Sequence, residues 1–543
     1  MSAVPTSEAV NRQRSAERHP RALAPSNLIL TIVLSVFGAI VGIQILVSLG
    51  ITPVTSQIGA LAAMTLARIP LSMFRGFRNI HAQNLAQTSI SSATFGAANS
   101  LFLPIGIPFL FGLPQMIVPM LVGVSLAMLL DAWMLYRMFD TTLFPASSPW
   151  PLGIAAAESI KAGDAGGKQA WVLLGGLATG VAGAVFALPM SAFGVALIGG
   201  LGAMTAFGGG LLLRGYALPL FHLDIAKLYV PHGMMIGAGI VALIQVALQV
   251  ARVALAKKSD SPTLAIAESA APRAAGLDRS IRLGALGYIA IVVMLAVTTG
   301  MYVSMSPGSL VLFVLYAAAA AFVHELLVGI AAMHSGWFPA FAVAVITLLL
   351  GILIGFPPEA LVVLAGFSAA TGPAFADMGY DLKAGHLLRG EGADAAFEMD
   401  GRRQQLIAGM VGFIVAILVV ALSYQVLFDN HETAPISAAY VAAIKAGISA
   451  DAARNLALWA IPGALLQLVG GSRRQLGVLF ATGLLIASPM AGWMVAIGLV
   501  ARIIVQRVMG TGSSKHLRVF AGGVIAGDAL FSFFSGAVRS FRK

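Results

Sequence analysis

Ionisable residues set inside long apolar runs are the first candidates for chemistry in this 543-residue chain. An ionised side chain at membrane depth costs at least about 2.5–3.5 kcal/mol, so it needs a partner, water or a function. Asp131, Glu158, Asp224, His324, Glu325, Asp377, Asp381 and Asp528 lie within or beside such runs. A position at the membrane interface is the ordinary alternative for Asp131, Asp381 and Asp528. His324-Glu325 is sharper, because the flanking stretch from Ala317 to Ile330 is otherwise apolar. A desolvated carboxyl beside an imidazole can take and release a proton near neutral pH, which makes this pair a proton-coupling candidate. A buried structural polar pair has the same signature.

Two enzymatic readings fail on their spacing. His324-Glu325-Leu326-Leu327-Val328 begins like a H-E-x-x-H zinc site, but Val328 stands where the second ligand is required. Gly366-Phe367-Ser368 resembles the Gly-x-Ser of a membrane serine protease, but no membrane-embedded His stands out in the sequence as its base. There is no cysteine, which excludes disulfides and thiolate metal sites. No G-x-x-x-x-G-K-[ST] phosphate loop occurs, which argues against ATP drive on this chain. No cofactor and no bound metal are expected.

The elements that position these groups follow from composition. The chain is 58% hydrophobic and 10% charged, with a mean hydropathy of +0.90. Soluble domains carry about 25% charged residues, so most of this exterior must face lipid. Continuous apolar runs of about 20 residues indicate helices, whereas barrel strands would alternate. The expected fold is all-α and polytopic, with 14–16 transmembrane helices. Candidate spans are 27–50, 54–73, 85–112, 114–136, 169–189, 191–213, 232–253, 283–304, 309–332, 337–356, 358–376, 405–428, 452–470, 476–507 and 518–538. The long runs 85–112 and 476–507 contain Pro104-Ile105-Gly106-Ile107-Pro108 and Ala487-Ser488-Pro489, and are expected to break or re-enter there.

The net charge of +11 raises nucleic acid as a partner, but Lys and Arg cluster at the ends of apolar runs, as cytoplasmic loops require. Residues 1–26 read as a cytoplasmic tail and 254–282 as a cytoplasmic linker. They separate membrane halves at 27–253 and 283–538, with 539–543 as a short C-terminal tail. Ile-Lys-Ala-Gly at 160–163, Leu-Lys-Ala-Gly at 382–385 and Ile-Lys-Ala-Gly at 444–447 hint at duplication, 160–163 and 382–385 having the more similar flanks.

The densest polar stretch beside a span is Asp377 to Leu388. Ala374-Phe375-Ala376-Asp377 followed by Asp381-Leu382-Lys383-Ala384-Gly385-His386-Leu387 resembles the A-x-A-D-x-x-x-D-L-K-T-G-H/Y-L stretch of the oligopeptide transporter (OPT/YSL) family, with Ala384 replacing its usual Thr. Asn84-Leu85-Ala86-Gln87-Thr88 resembles the family's N-x-x-Q-T. Phe144-Pro145 with Ala157 to Gly163 resembles its F-P…A-E-x-x-K-A-G. Tyr229 to Gly237 resembles its Y-x-G-x-G-M-x-x-G, where Pro231 and His232 depart from the small residues usual there. The resemblance spans about residues 27–538. It implies a bacterial secondary transporter of about sixteen helices in two related halves, moving small peptides or peptide-like metal chelates with protons across the cytoplasmic membrane. On this reading Asn84, Gln87, Thr88, Glu158, Asp224, Asp377, Asp381 and His386 are substrate-binding candidates. His324 and Glu325 are proton-coupling candidates. The partners are substrate, protons and membrane lipid, with a homodimer allowed. An uncoupled channel or facilitator is the alternative, followed by a membrane-embedded enzyme.

Overall fold

A computed structural model describes residues 19–50, 79–259 and 271–531, except 142, 149, 165–167, 336–339, 449, 511–515, 526 and 529–530. The described residues are predominantly helical, and they contain no strand. The expected span at 54–73 falls outside them. Among the described residues, eight helices are long and apolar enough to cross a membrane, and five shorter apolar helices accompany them. That accords with an all-α polytopic membrane protein; the expected 14–16 crossings are approached only when the short helices are included.

In chain order, α1 is Pro25–Leu49, α2 Ile80–Phe95, α3 Leu103–Phe111, α4 Ile117–Met138 and α5 Pro151–Asp164. Next come α6 Lys168–Val185, α7 Met190–Ile198, α8 Leu201–Phe221, α9 Val230–Ser259 and α10 Ala271–Thr298. The second half holds α11 Pro307–Ser335, α12 Ala340–Ile354, α13 Pro358–Ala370, α14 Pro373–Leu388 and α15 Ala395–Asp429. It ends with α16 Pro435–Ile448, α17 Ala450–Arg474, α18 Leu476–Leu485, α19 Pro489–Met509 and α20 His516–Ile525. Helices α9 and α10 extend into 254–282 from both sides.

The more extended of the sequence echoes pairs 160–163 with 444–447. Helix α5 and helix α16 are each 14 residues long. Pro151, Ala155, Ile160, Lys161, Ala162 and Gly163 recur in step as Pro435, Ala439, Ile444, Lys445, Ala446 and Gly447. The 382–385 echo lies inside α14, a different element. Contacts repeat with the partners exchanged. Helix α2 packs on α14 while α3 packs on α13, and α5 packs on α14 while α16 packs on α3. Likewise α8 packs on α18 while α7 packs on α19. Helices from before and after the 254–282 segment therefore pack against one another.

The two expected breaks behave differently. The 476–507 run does break: α18 ends at Leu485, and the Ser488 side chain caps α19 at Pro489. The 85–112 run instead continues through Pro104 and Pro108. A π-helical turn at Gly96–Phe102 immediately precedes α3, which begins with Pro104 in its first turn. A wide turn accommodates the carbonyls that lose proline's N–H. The break that matters lies elsewhere, at Thr371-Gly372-Pro373 between α13 and α14. Gly372 has φ of +100°, a conformation that a side chain would strain, and a Cβ there would stand 3.0 Å from Val328.

Close backbone approach sets the central packing. A Cβ on Gly412 of α15 would collide with the Ser89 carbonyl of α2, so these helices touch through backbone. That contact holds the polar face of α2 against α14.

Candidate functional site

Along α2, Asn84, Gln87, Thr88 and Ser91 recur at three- and four-residue intervals and so share one face. Asp377 and Asp381 of α14, four residues apart, do the same. The two stripes meet in the interior, where all six residues are at most 1% exposed. Gln87 Nε2 donates to Asp381 Oδ1 at 2.6 Å, and Ser91 Oγ donates to Asp377 Oδ1 at 2.6 Å. Asn84 Nδ2 donates to Gln87 Oε1 at 3.1 Å, which orients that amide. From α15, Gln405 Nε2 donates to the Asp381 carbonyl at 2.7 Å and to Thr88 Oγ1 at 3.3 Å.

This groove has acceptors to spare. Asp377 Oδ2, Asp381 Oδ2 and Asn84 Oδ1 are buried and lack a hydrogen-bond partner among the described residues. Lys383, the nearest cation in sequence, instead donates to the Ala146 carbonyl at 2.7 Å. Among the described residues no Lys or Arg pairs with either aspartate. Buried carboxylates without a cation require either a positive partner or a proton.

Through Gln405 the site joins an ionic network. Glu398 accepts from Arg389 Nε at 2.8 Å and from Arg402 Nε at 2.7 Å, and His386 Nδ1 lies 3.2 Å away. Arg402 also reaches Asp140 at 3.0 Å, and Arg389 Nη1 donates to Gln405 at 2.7 Å. Arg389 and Arg402, in the basic stretch 383–403, are thus buried.

Thus Asn84, Gln87, Thr88, Asp377 and Asp381 come together, and the other expected substrate residues do not. Glu158 is exposed and pairs with Lys161 at 3.2 Å on the surface of α5. Asp224 caps the turn before α9 by accepting from the Lys227 and Ala226 N–H groups. Those bonds, the Lys227 one foremost, hold its carboxyl below the ordinary range. His386 belongs to the Glu398 network. His324 and Glu325 are both fully buried but diverge, as consecutive helical residues must. His324 Nδ1 lies 3.4 Å from Thr371 Oγ1, whereas Glu325 turns toward Tyr288 and Asp131. Sequence reasoning passed over Ser91 and Gln405. Ser91 was within reach, being one turn beyond Gln87; Gln405 was masked by its basic neighbours Arg402 and Arg403.

A sequence profile described as OPT oligopeptide transporter protein matches residues 23–256 and 190–538. The chain belongs to the OPT oligopeptide transporter family. The match takes in α2, α14 and α15, so the groove of this transporter lies wholly within the family's region. No curated protein matches the chain.

Proposed function

We propose that this transporter is a secondary active symporter that moves small peptides or peptide-like metal chelates together with protons across a bacterial cytoplasmic membrane. One observation carries the reading: the paired Asp377 and Asp381, each with a free buried oxygen, facing the Asn84–Gln87–Ser91 stripe. The carboxylates suit a cargo amine, and the amide and hydroxyl groups suit a peptide backbone. The groove lies where helices from before and after the 254–282 segment meet, which is where alternating access requires a substrate site.

The test is uptake of a labelled peptide panel into proteoliposomes, with and without an inward proton gradient. Free-amine peptides should accumulate only with the gradient, N-acetylated ones should bind poorly, and Asp381→Asn should abolish uptake. The surface variant Glu158→Gln should transport normally, because an exposed ion pair contributes about 0–1 kcal/mol. Gradient-independent uptake would replace symport by facilitated passage. Equal uptake of acetylated peptides would remove the amine from the Asp377–Asp381 groove.

A further inference from the structure

A second buried acidic cluster lies at the α13–α14 break, and the substrate groove does not use it. Asp131 of α4 is fully buried. Its Oδ1 accepts from the Tyr288 hydroxyl of α10, and its Oδ2 accepts from the Gly372 N–H at 2.7 Å. Glu325 of α11 is also fully buried and faces the same phenol, without forming a hydrogen bond in this conformation. Neither Glu325 oxygen has a hydrogen-bond partner among the described residues. The titratable groups that face Glu325 are Asp131 from α4 and Tyr288 from α10. On α11 itself, His324 is turned to Thr371. On α14, Asp377 is occupied with Ser91. No Lys or Arg pairs with the cluster among the described residues.

A purely structural role explains Asp131, which ties the start of α14 to α4. It leaves Glu325 unexplained. An ionised carboxylate without donors is strongly disfavoured in the interior, and a second carboxylate across a shared phenol makes it worse. One proton resolves both problems: Glu325 as the acid can donate toward the Tyr288 oxygen, while the Tyr288 hydrogen continues to Asp131.

We infer that Asp131, Tyr288 and Glu325 form a proton-binding site at the α13–α14 break, separate from the substrate groove. It takes one proton onto a carboxylate from one side of the membrane and releases it to the other. The inference rests on the proposed proton-driven symport and adds the location of the proton. The link to cargo is direct, because Gly372, held by Asp131, begins the helix that carries Asp377 and Asp381. Val328, one turn from Glu325, packs against Gly372. A change of charge at Glu325 therefore acts on the joint between α13 and α14.

Two readouts on the purified full-length protein test this. In infrared difference spectra, the stretching band of a protonated buried carboxyl should lose a component in Glu325→Gln. Asp131→Asn and Tyr288→Phe should shift that component, and Asp377→Asn should leave it in place. In proteoliposomes, Glu325→Gln imitates the protonated acid, so peptide counterflow should persist while gradient-driven accumulation is lost. Where Glu325→Gln is poorly folded, Tyr288→Phe carries the spectral arm. A spectrum unchanged in all of the cluster variants that fold, or full accumulation by a folded Glu325→Gln, overturns the site. Loss of all peptide transport by the wild type would instead sink the symport reading and leave the infrared result to decide the proton site.

Discussion

Replacing Arg389 by Met tests whether the Glu398 network holds the α2–α14 polar site in register. The Arg389 side chain is completely buried and makes three bonds: two to Glu398, at 2.8 and 3.2 Å, and one to Gln405 Oε1 at 2.7 Å. Removing one member of a buried ion pair costs about 3–5 kcal/mol, because the remaining charge keeps its desolvation cost without its partner. Arg402 still donates to Glu398 at 2.7 Å, so the lower end, about 3 kcal/mol, is expected here. The decisive comparison is Arg389→Met/Glu398→Gln. With the orphaned charge removed and Arg402 still held by Asp140, the double variant should recover about half of the loss. Reversible unfolding in mixed micelles measures both. Transport supplies a second readout. Gln405 loses the acceptor contact that fixes its amide, and that amide holds the Asp381 carbonyl, so KM should rise in the single variant. A double variant as unstable as the single one, with KM unchanged in both, would refute the account.

Gly412→Val should push α2 off α15, since its Cβ meets the Ser89 carbonyl; overpacking of this kind costs about 1–3 kcal/mol, and transport should fall with it. Gly175→Ala, where a Cβ meets nothing within 4 Å, is the matched control and should retain both stability and uptake. His19, ahead of the first span, packs against His81 and Phe397 at ring distances of 5.3 and 5.2 Å. Burial pushes its pKa from 6.5 down to about 4. Below 6.5 the released segment binds the proton more readily than the docked one, so docking weakens as pH falls from 6.5 toward 4. Protection factors at residues 21–24, corrected for the intrinsic pH dependence of amide exchange, should fall across that window, and His19→Phe should flatten the response. Protection in the wild type that ignores pH would contradict the burial of a neutral imidazole.

Much of the groove can be read along single helices. Asn84, Gln87, Thr88 and Ser91 fall on one face of α2 by helical period alone, as do Asp377 and Asp381 on α14. Their apolar surroundings already mark them as groups that must find partners, because polar groups at membrane depth need them. The membrane class follows from composition, since so few charges cannot cover a water-facing surface. Where α14 lies was less legible: its polar residues make 377–388 look like the margin of a span, yet it is a buried helix shielded on all sides.

Sequence by itself determined the lipid-facing class, the family and the two polar stripes. These depend on composition and on spacing within a segment. Tertiary structure alone decided which stripes meet, that Glu158 and Asp224 stay outside the groove, and that Glu325 turns from His324 to Tyr288 and Asp131. It also decided that Arg389 and Arg402 are internal. The meeting of the stripes and the anchoring of α14 depend on contacts between residues hundreds of positions apart, Gln87 with Asp381 and Asp131 with Gly372, and local periodicity carries no record of them.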